Sequence, residues 1–223
     1  METRFLTVAV RFGPLGRVVC MLALLAVVTG AMKREDFITV VSGLPRSGTS
    51  LMMSMLDKGG IPPIQDGVRT ADEDNPKGYY EFERVKKIAK DKAWLPDCRG
   101  KAVKMISRLL IELPPGFNYK VLWMRRNIEE IIASQKKMLV RRGKYDDSVS
   151  DEDVRRMLLR HVEKTLIWVK EHDYIDMVFV HYNTLVADPA EQIALINEHL
   201  GGTLDVAAMK AAIDPSLYRN RAR

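Results

Sequence analysis

Arginine, serine and threonine residues surround two glycines near position 46. Residues 42–50 read SGLPRSGTS, after the apolar, β-branched run 37–41 and before a Met- and Leu-rich run. A buried strand, a glycine-bearing turn and a helix start in this order bring backbone N–H groups to one point, where the helix dipole favours negative charge. The planar guanidinium of Arg46 suits phosphate or sulfate. The stretch therefore predicts an anion-binding loop that includes Arg46, Ser47, Gly48, Thr49 and Ser50.

The glycine spacing matches that of nucleoside triphosphate-binding loops, but the charge does not. Gly43 and Gly48 keep the separation of the G-x-x-x-x-G-K-[ST] pattern, whereas Thr49 stands where that pattern has lysine. In this chain the cation is instead within the loop, at Arg46. This departure argues against ordinary ATP or GTP hydrolysis. It leaves open a phosphate loop of another class, or a strand-turn-helix with no ligand.

A second anion-binding segment follows another apolar run, 119–124. Arg125, Arg126 and Asn127 come directly after this predicted strand, and Ser134 lies eight positions after Arg126. Eight residues are little more than two helical turns, so Ser134 and the arginine at the helix start can share a face. Read alone, the pattern also fits a surface cation and a neutral helix serine.

These segments resemble the nucleotide-binding motifs of sulfotransferases that use 3′-phosphoadenosine-5′-phosphosulfate (PAPS). The stretch Pro-Arg-Ser-Gly-Thr-Ser resembles their 5′-phosphosulfate loop, and Arg-Asn with a serine eight residues after the arginine resembles their 3′-phosphate signature. The resemblance implies that Arg46 binds the 5′-phosphate and the bridging oxygen, and that Arg126 and Ser134 bind the 3′-phosphate. Tyr182, in a Tyr-x-x-Leu context after a strand, would contact the adenine.

The match covers roughly residues 37–200 and is nearer the bacterial and tyrosylprotein-type branches than the cytosolic branch. Leu51 stands where many cytosolic members have tryptophan. The glycine-rich carboxyl-terminal nucleotide motif of those enzymes is also missing. Arg219 and Arg221 in the tail are possible substitutes for its cations.

The residues for proton and charge transfer are also implied by the resemblance. Cytosolic members have Lys-x-His after the second strand, whereas this chain has Lys104-Met105-Ile106, so the lysine stays and the histidine base is absent. The stretch 75–81, NPKGYYE, resembles an Asn-Pro-x-Gly-Tyr-x-Glu element of bacterial sulfotransferases. Glu81 is therefore the expected general base, with Glu83 as the second choice, and Lys104 would stabilise the leaving group.

Apolar runs alternate with amphipathic stretches along the chain. Predicted strands cover 37–41, 102–106, 119–124 and 177–181, and predicted helices include 83–94, 127–142 and 150–172. This alternation predicts an α/β three-layer sandwich, a parallel sheet flanked by helices, and the resemblance implies a fold like that of P-loop nucleoside triphosphate hydrolases. Ligands of such sheets bind at the carboxyl ends of the strands, where the predicted loops would meet.

Composition limits the other functional classes. The formal net charge is +6, which suits a polyanionic donor, and the basic residues are interleaved with acids rather than gathered into a nucleic-acid-binding module. Two cysteines, at 20 and 98, and four scattered histidines give no metal-ligand spacing. The expected partners are therefore PAPS or its product, with no metal and no nucleic acid.

Residues 1–32 form an apolar amino-terminal extension before a predicted domain of residues 33–223. Basic residues precede the uncharged run 18–28, which is short of the roughly 20 residues of a bilayer span. Three interpretations stay open: a signal anchor that contacts a membrane through residues 18–31, a cleaved signal peptide, and a stretch upstream of a true start at Met32. The last is preferred and places the enzyme in the cytoplasm.

The combined hypothesis is a sulfotransferase that moves a sulfuryl group from PAPS to a hydroxyl or amine by in-line transfer. The alternatives are an atypical P-loop kinase or phosphotransferase and a nucleotide-binding module without turnover. The sequence does not identify the acceptor. Carbohydrate, lipid-linked sugar, peptide tyrosine and small metabolites all stay open.

Overall fold

The structure, a computed structural model, describes residues 32–72, 75 and 78–218. Residues from Lys33 onward form one compact unit. The strands are β1 (Phe37–Gly43), β2 (Ala102–Lys104), β3 (Asn118–Arg125) and β4 (Ile175–His181). The α-helices are α1 (Thr49–Lys58), α2 (Ser107–Leu110), α3 (Ile128–Arg141), α4 (Asp151–Lys170), α5 (Tyr182–Ala187), α6 (Ala190–His199) and α7 (Val206–Ala211).

The four strands form one parallel sheet in the order β2-β1-β3-β4. Their register aligns the carboxyl ends, because Gly43 pairs with Met124 and Arg125 pairs with His181. Every residue of β1 is buried, as expected for a central parallel strand that is covered on both faces. The predicted α/β parallel sheet is confirmed, and the loops after β1, β3 and β4 leave it at the same edge.

Two apolar cores lie on opposite faces of the sheet. On one face, alternate residues of β1 and β3 pack against α1, α6 and α7, with Met52, Met55 and Ile196 fully buried. On the other face, the intervening residues pack against the segment 85–98 and against α4, with Trp94 nearly fully buried. Side chains of a strand point alternately to the two faces, so each central strand supplies both cores. The molecule therefore has the three layers that the sequence predicts.

The predicted helix 83–94 is wrong. The structure has 3₁₀ turns at Glu83–Lys87 and Leu95–Cys98, with an irregular link between them. Val85 and Ile88 are three residues apart and both buried, a spacing that stacks side chains in a 3₁₀ turn. Ala89, which a longer helix would place on the same side, is exposed.

The predicted helix over 127–142 is confirmed within one residue at each end. Asn127 caps α3, since its side chain accepts a hydrogen bond from the backbone N–H of Glu129. Ser150 caps α4 in the same way. Helix α5, directly after β4, has no counterpart in the sequence-based prediction.

Residues 1–31 lie outside the described residues, and the predicted amino-terminal extension falls on them except for Met32. The cytoplasmic location, which follows from the preferred interpretation of this extension, stays a prediction. Among the helices of the described residues, none combines the length and apolar character that crossing a bilayer requires.

Candidate functional site

A cavity of about 470 Å³ opens at the carboxyl edge of the sheet. Its volume is within the range of small-molecule sites. It is bounded by the loop after β1, the start of α1, the end of β2 and one face of α3. Of the described residues that line it, seven are basic and one is acidic: Arg46, Arg69, Lys104, Arg126, Lys137, Arg141, Arg142 and Glu81. The cavity therefore suits a ligand with several negative charges.

The loop after β1 has the conformation that its glycines predict. Gly43 and Gly48 have φ angles of 143° and 102°, and a Cβ built on Gly43 would lie 2.7 Å from the carbonyl oxygen of Met124. Arg46 also has a positive φ, 77°, and its side chain lines the cavity. Gly48 ends the loop as the residue before α1, so the first-turn N–H groups of that helix follow directly.

Ser47 differs from the other predicted loop residues. Thr49 and Ser50 line the cavity with Arg46 and Gly48, whereas the Ser47 side chain is fully buried. Its Oγ has no hydrogen-bond partner among the described residues and would lie 2.7 Å from a Cβ at Gly43. The structure therefore places this hydroxyl in the protein interior near Gly43, and Ser47 is not among the residues that line the cavity.

Arg126 is fixed by contacts on several sides. Its Nε donates to Oε2 of Glu130 at 2.8 Å, and the two side chains are only 8% and 3% exposed. Its Nη1 donates to the backbone carbonyl of Arg46 at 3.1 Å, which ties the end of β3 to the loop after β1. The guanidinium also lies 4.6 Å from the ring centre of Tyr182 and 5.4 Å from that of Tyr218. A cation held this way keeps its position without a ligand.

Glu130 is the centre of a buried polar network. Besides Arg126, its carboxylate accepts hydrogen bonds from the Tyr218 hydroxyl at 2.6 Å and from the Asn183 side chain at 3.1 Å. Burial and the bond to Glu130 raise the pKa of the Tyr218 hydroxyl. The network links α3, α5 and the carboxyl-terminal segment behind Arg126, so these elements position the guanidinium together.

Ser134 and Arg46 meet directly. Nε of Arg46 donates to Oγ of Ser134 at 3.0 Å, across 88 positions of the chain. The sequence assigns Arg46 to the 5′ end of a nucleotide and Ser134 to its 3′ end. The structure brings both to one cavity together with Arg126. Because this bond uses Nε, the Nη groups of Arg46 are the donors with which the guanidinium can act at the 5′ end while the contact with Ser134 is kept.

Tyr182 lines the cavity but is 7% exposed. A Cβ at Gly48 would lie 2.3 Å from Cδ2 of Tyr182, so the ring rests against the loop. It also meets the Tyr218 ring edge-on, with centroids 5.5 Å apart. The tyrosine thus packs between the loop, Arg126 and Tyr218, with a small part of its surface turned to the cavity.

Glu81 and Lys104 face each other at the other end of the cavity. Nζ of Lys104 lies 3.7 Å from Oε1 of Glu81 and donates to Oγ of Ser50 at 3.3 Å. Burial, opposed by Glu81 and reinforced by Arg69 and Arg46, lowers the pKa of Lys104 to about 8. Lys104 is therefore a cation that can lose its proton slightly above neutral pH.

Arg69 was not predicted from the sequence and is part of this end of the cavity. Its Nη1 donates to Oε1 of Glu81 at 2.7 Å, and its guanidinium carbon lies 3.3 Å from the centre of the Tyr79 ring. Asn75 donates to Oγ of Ser50 at 2.8 Å and holds the segment against α1. Arg69 stands alone in a long loop, so no motif in the sequence marks it.

The remaining site residues missed by the sequence prediction come from α3 and the residue after it, from α5 and from the carboxyl-terminal segment. They are Glu130, Asn183, Tyr218, Lys137, Arg141 and Arg142. Spacing offers one signal that could have found three of them, since Lys137 and Arg141 lie one and two turns beyond Ser134 and Arg142 is next to them. Arg219 and Arg221 lie outside the described residues. Within the described part of the chain, no group of three or more His, Cys, Asp or Glu residues could hold a metal.

Solved structures that are similar to this chain have low sequence identity to it. Retinol dehydratase in complex with androsterone and inactive cofactor PAP is 17% identical with a TM-score of 0.47, and the match covers 82% of this chain but 64%, less than two thirds, of that chain. The sulfotransferase domain from the curacin biosynthetic pathway is 14% identical with a TM-score of 0.45, covering 83% and 90%. Sulfotransferase STF1 from Mycobacterium tuberculosis H37Rv is 14% identical with a TM-score of 0.48, covering 89% and 75%. No protein family profile and no curated protein sequence matches the chain.

Proposed function

We propose that this protein is a sulfotransferase that moves a sulfuryl group from PAPS to a hydroxyl or amine acceptor. One observation carries the proposal. Arg46, Arg126, Ser134, Lys104 and Glu81 come from four separate segments and line a single cavity at the carboxyl edge of a parallel sheet. A bisphosphorylated nucleotide needs cations at two ends, and a transfer reaction needs a base beside them.

The residues fit the donor in charge and in shape. The positive φ angles of Gly43 and Gly48 allow the tight turn between β1 and α1, which puts the first-turn N–H groups of α1 next to the loop residues that line the cavity. We assign Arg126 and Ser134 to the 3′-phosphate and the loop residues Arg46, Thr49 and Ser50 to the 5′-phosphosulfate. The small exposed part of Tyr182 is left for the edge of the adenine.

The transfer step takes place at the end of the cavity that contains Glu81 and Lys104. The oxygen of the acceptor hydroxyl attacks the sulfur in line, and Glu81 accepts the proton of that hydroxyl. The bond between sulfur and the bridging oxygen breaks at the same time, which leaves the electron pair on the 5′-phosphate. Lys104 and Arg46 neutralise that charge, so catalysis depends mainly on positioning and electrostatic stabilisation.

Nucleotide binding tests the proposal most directly. Isothermal titration calorimetry should show that 3′-phosphoadenosine 5′-phosphate (PAP) binds at least about tenfold more tightly than adenosine 5′-phosphate or ATP, because a charge-assisted bond to a phosphate contributes about 1.5–3 kcal/mol. Arg126→Lys keeps a charge beside Glu130 but loses the fork, so it should remove most of this preference.

Arg125→Lys is the matched control. Arg125 is the last residue of β3 and directly precedes Arg126, lies 4.9 Å from the Phe179 ring and is not among the cavity residues. Its variant should bind PAP like the unchanged protein. Equal affinity for PAP and ATP, or equal effects of the two substitutions, would exclude the proposed donor. Incubation with labelled PAPS and an extract, with mass identification of the sulfated product, then tests turnover.

A further inference from the structure

The Ser50 hydroxyl has both of its acceptor positions occupied within the protein. Its Oγ accepts hydrogen bonds from Nδ2 of Asn75 at 2.8 Å and from Nζ of Lys104 at 3.3 Å. A serine hydroxyl has two lone pairs and one hydrogen, so these two bonds leave only the O–H for a further partner. Ser50 lines the cavity, and no acceptor for its hydrogen lies among the residues that the structure describes. The hydroxyl is therefore set to donate to a ligand.

Asn75 uses the second hydrogen of the same amide nitrogen on the turn that leads to Glu81. Its Nδ2 also donates to the backbone carbonyl of Gly78, and its own backbone carbonyl accepts from the N–H of Gly78 at 3.1 Å. In this turn, Gly78 has a φ of 86° and Tyr80 a φ of 51°, the latter in a region that residues with a Cβ seldom adopt. A backbone of this form needs support from its surroundings. The Asn75 amide gives that support just before the proposed base.

Lys104 closes these contacts into a ring. Its Nζ donates to the backbone carbonyl of Tyr79 as well as to Oγ of Ser50. The ring thus runs from α1 through the Asn75 side chain to residues 78–79 and returns through Lys104. The Lys104 side chain is only 9% exposed. In such a ring no member can turn without breaking a bond of its neighbour, so the polar groups keep one arrangement.

We propose that Asn75 is a positioning residue with two tasks: it aims the Ser50 hydroxyl at the 5′-phosphosulfate, and it holds the turn from which Glu81 reaches the acceptor. The inference rests on the proposed function, because it assigns a role in the same reaction. Asn75 acts through Ser50 and Gly78, and it takes no part in bond making or proton transfer. One amide therefore keeps the donor and the base at a constant separation, which in-line transfer requires. The ring holds the backbone of the turn, and the Glu81 side chain can still exchange its contact with Arg69.

Nucleotide binding tests the first task. Asn75→Ala leaves the Ser50 hydroxyl able to turn away, so titration calorimetry should show PAP binding about three- to tenfold more weakly. Adenosine 3′-phosphate lacks the 5′-phosphate, so its affinity should stay within about twofold of that of the unchanged protein. Asn118→Ala is the matched control, because Asn118 is an exposed asparagine at the start of β3 that donates to the carbonyl of Asp36 at 3.3 Å. This control should bind both nucleotides like the unchanged protein.

A double-mutant cycle shows whether Asn75 acts through Ser50. Ser50→Ala alone should weaken PAP binding about tenfold, because a hydrogen bond to a charged phosphate is lost. Adding Asn75→Ala to this variant should weaken it by less than about twofold more, since the hydroxyl that Asn75 orients is already absent. A residue that only stabilises the fold would instead give additive losses.

Turnover tests the second task. Release of labelled sulfate from PAPS, with water as the acceptor, reports the rate without an identified acceptor. At saturating PAPS, Asn75→Ala should lower this rate about 10–100-fold, with or without Ser50→Ala, because the turn that carries Glu81 loses its support in both backgrounds. Asn118→Ala should leave the rate unchanged.

Three results would overturn the inference: PAP affinity of Asn75→Ala equal to that of Asn118→Ala, an equal loss for adenosine 3′-phosphate, or additive losses with Ser50→Ala. If circular dichroism shows that Asn75→Ala is unfolded, Asn75→Asp takes its place. It keeps the shape of the side chain but replaces the amide donors with a carboxylate that draws the Ser50 hydrogen to itself, so PAP affinity should fall at least as far.

PAP titration of the unchanged protein separates this inference from the proposed function. A chain that binds PAP no better than ATP refutes the donor itself. A clear preference for PAP that Asn75→Ala and Asn75→Asp leave intact refutes the role of Asn75 alone.

Discussion

Two arginine–carboxylate pairs stand at the two ends of the cavity, and their surroundings differ. Arg126, just before α3, and Glu130, in its first turn, are four residues apart, and their side chains are 8% and 3% exposed. Arg69 and Glu81 come from a long loop and are 30% and 20% exposed. The first pair has further hydrogen bonds to Asn183 and Tyr218, whereas the second has a contact with Lys104 and the Tyr79 ring.

This difference separates a fixed cation from an exchangeable one. A buried pair with its remaining lone pairs satisfied keeps one geometry, and breaking it leaves a charge without compensation. A partly exposed pair contributes little stability and can open when a ligand arrives. The end of the cavity that we assign to the donor (the donor end) is therefore preorganised, and the end that we assign to the acceptor (the acceptor end) is adaptable. Four predictions test this contrast.

Glu81→Gln should have the largest effect, on turnover. A glutamine keeps the shape of the side chain but cannot accept the proton, so kcat should fall about 10²–10⁴-fold. The PAP dissociation constant and the melting temperature should change little, because Glu81 belongs to the adaptable end. Kinetics with labelled PAPS measures the turnover. Titration calorimetry measures the PAP dissociation constant, and scanning calorimetry measures the melting temperature. Glu83→Gln is the control. Loss of turnover in Glu83→Gln but not in Glu81→Gln would indicate that Glu83 is the general base.

Glu130→Ala should have the largest effect on stability. It leaves the Arg126 guanidinium buried without its carboxylate, which costs about 3–5 kcal/mol of unfolding free energy. Urea denaturation followed by circular dichroism measures the loss. Glu129→Ala, on the adjacent residue, removes an exposed pair with Arg155 and should cost less than about 1 kcal/mol. Equal losses of unfolding free energy in the two variants would contradict the inference that the donor end is preorganised.

The pH dependence should follow Lys104. Its pKa in the folded protein is about 8, below the ordinary 10.5, chiefly because it is buried. Between these values the unfolded chain binds the proton more tightly, so stability should rise as pH rises through this window. Charge stabilisation by Lys104 is lost in the same window, so kcat should fall above about pH 8. Lys104→Arg should move that fall to higher pH, and an unchanged profile would remove Lys104 from catalysis.

Arg69→Ala should have the smallest effect on stability, less than about 1 kcal/mol by the same denaturation measurement. Because the pair is partly exposed, its loss leaves no deeply buried charge behind. A loss as large as that of Glu130→Ala would make the acceptor end as rigid as the donor end.

The donor end could be predicted from sequence because its residues follow strands directly. Gly43 and Arg126 are fixed by the carboxyl ends of β1 and β3, and Ser134 by the helical period from Arg126, so local pattern was enough to bring them together. Whether their nucleotide roles are right stays a prediction. The acceptor end depends on the loop between α1 and β2, in which neither strand nor helix period constrains the chain. Arg69 could not be placed there without coordinates.

The prediction of a helix over 83–94 is wrong for a related reason. Val85 and Ile88 satisfy both an α-helical and a 3₁₀ spacing, and packing of Trp94 and Leu95 into the core decides between them. The buried environment of Glu130 was missed because a glutamate near a helix start ordinarily faces solvent. Contacts distant in sequence, from Asn183 and Tyr218, bury it here.

The ring of Tyr182 occupies the space that a side chain at position 48 would need. The backbone of Gly48 also has a φ of 102°, so a smaller side chain at 182 removes one of two obstacles to a larger residue at 48 and leaves the backbone strain in place. Position 48 is therefore expected to stay glycine over evolutionary time even where position 182, 134 residues further along the chain, has changed.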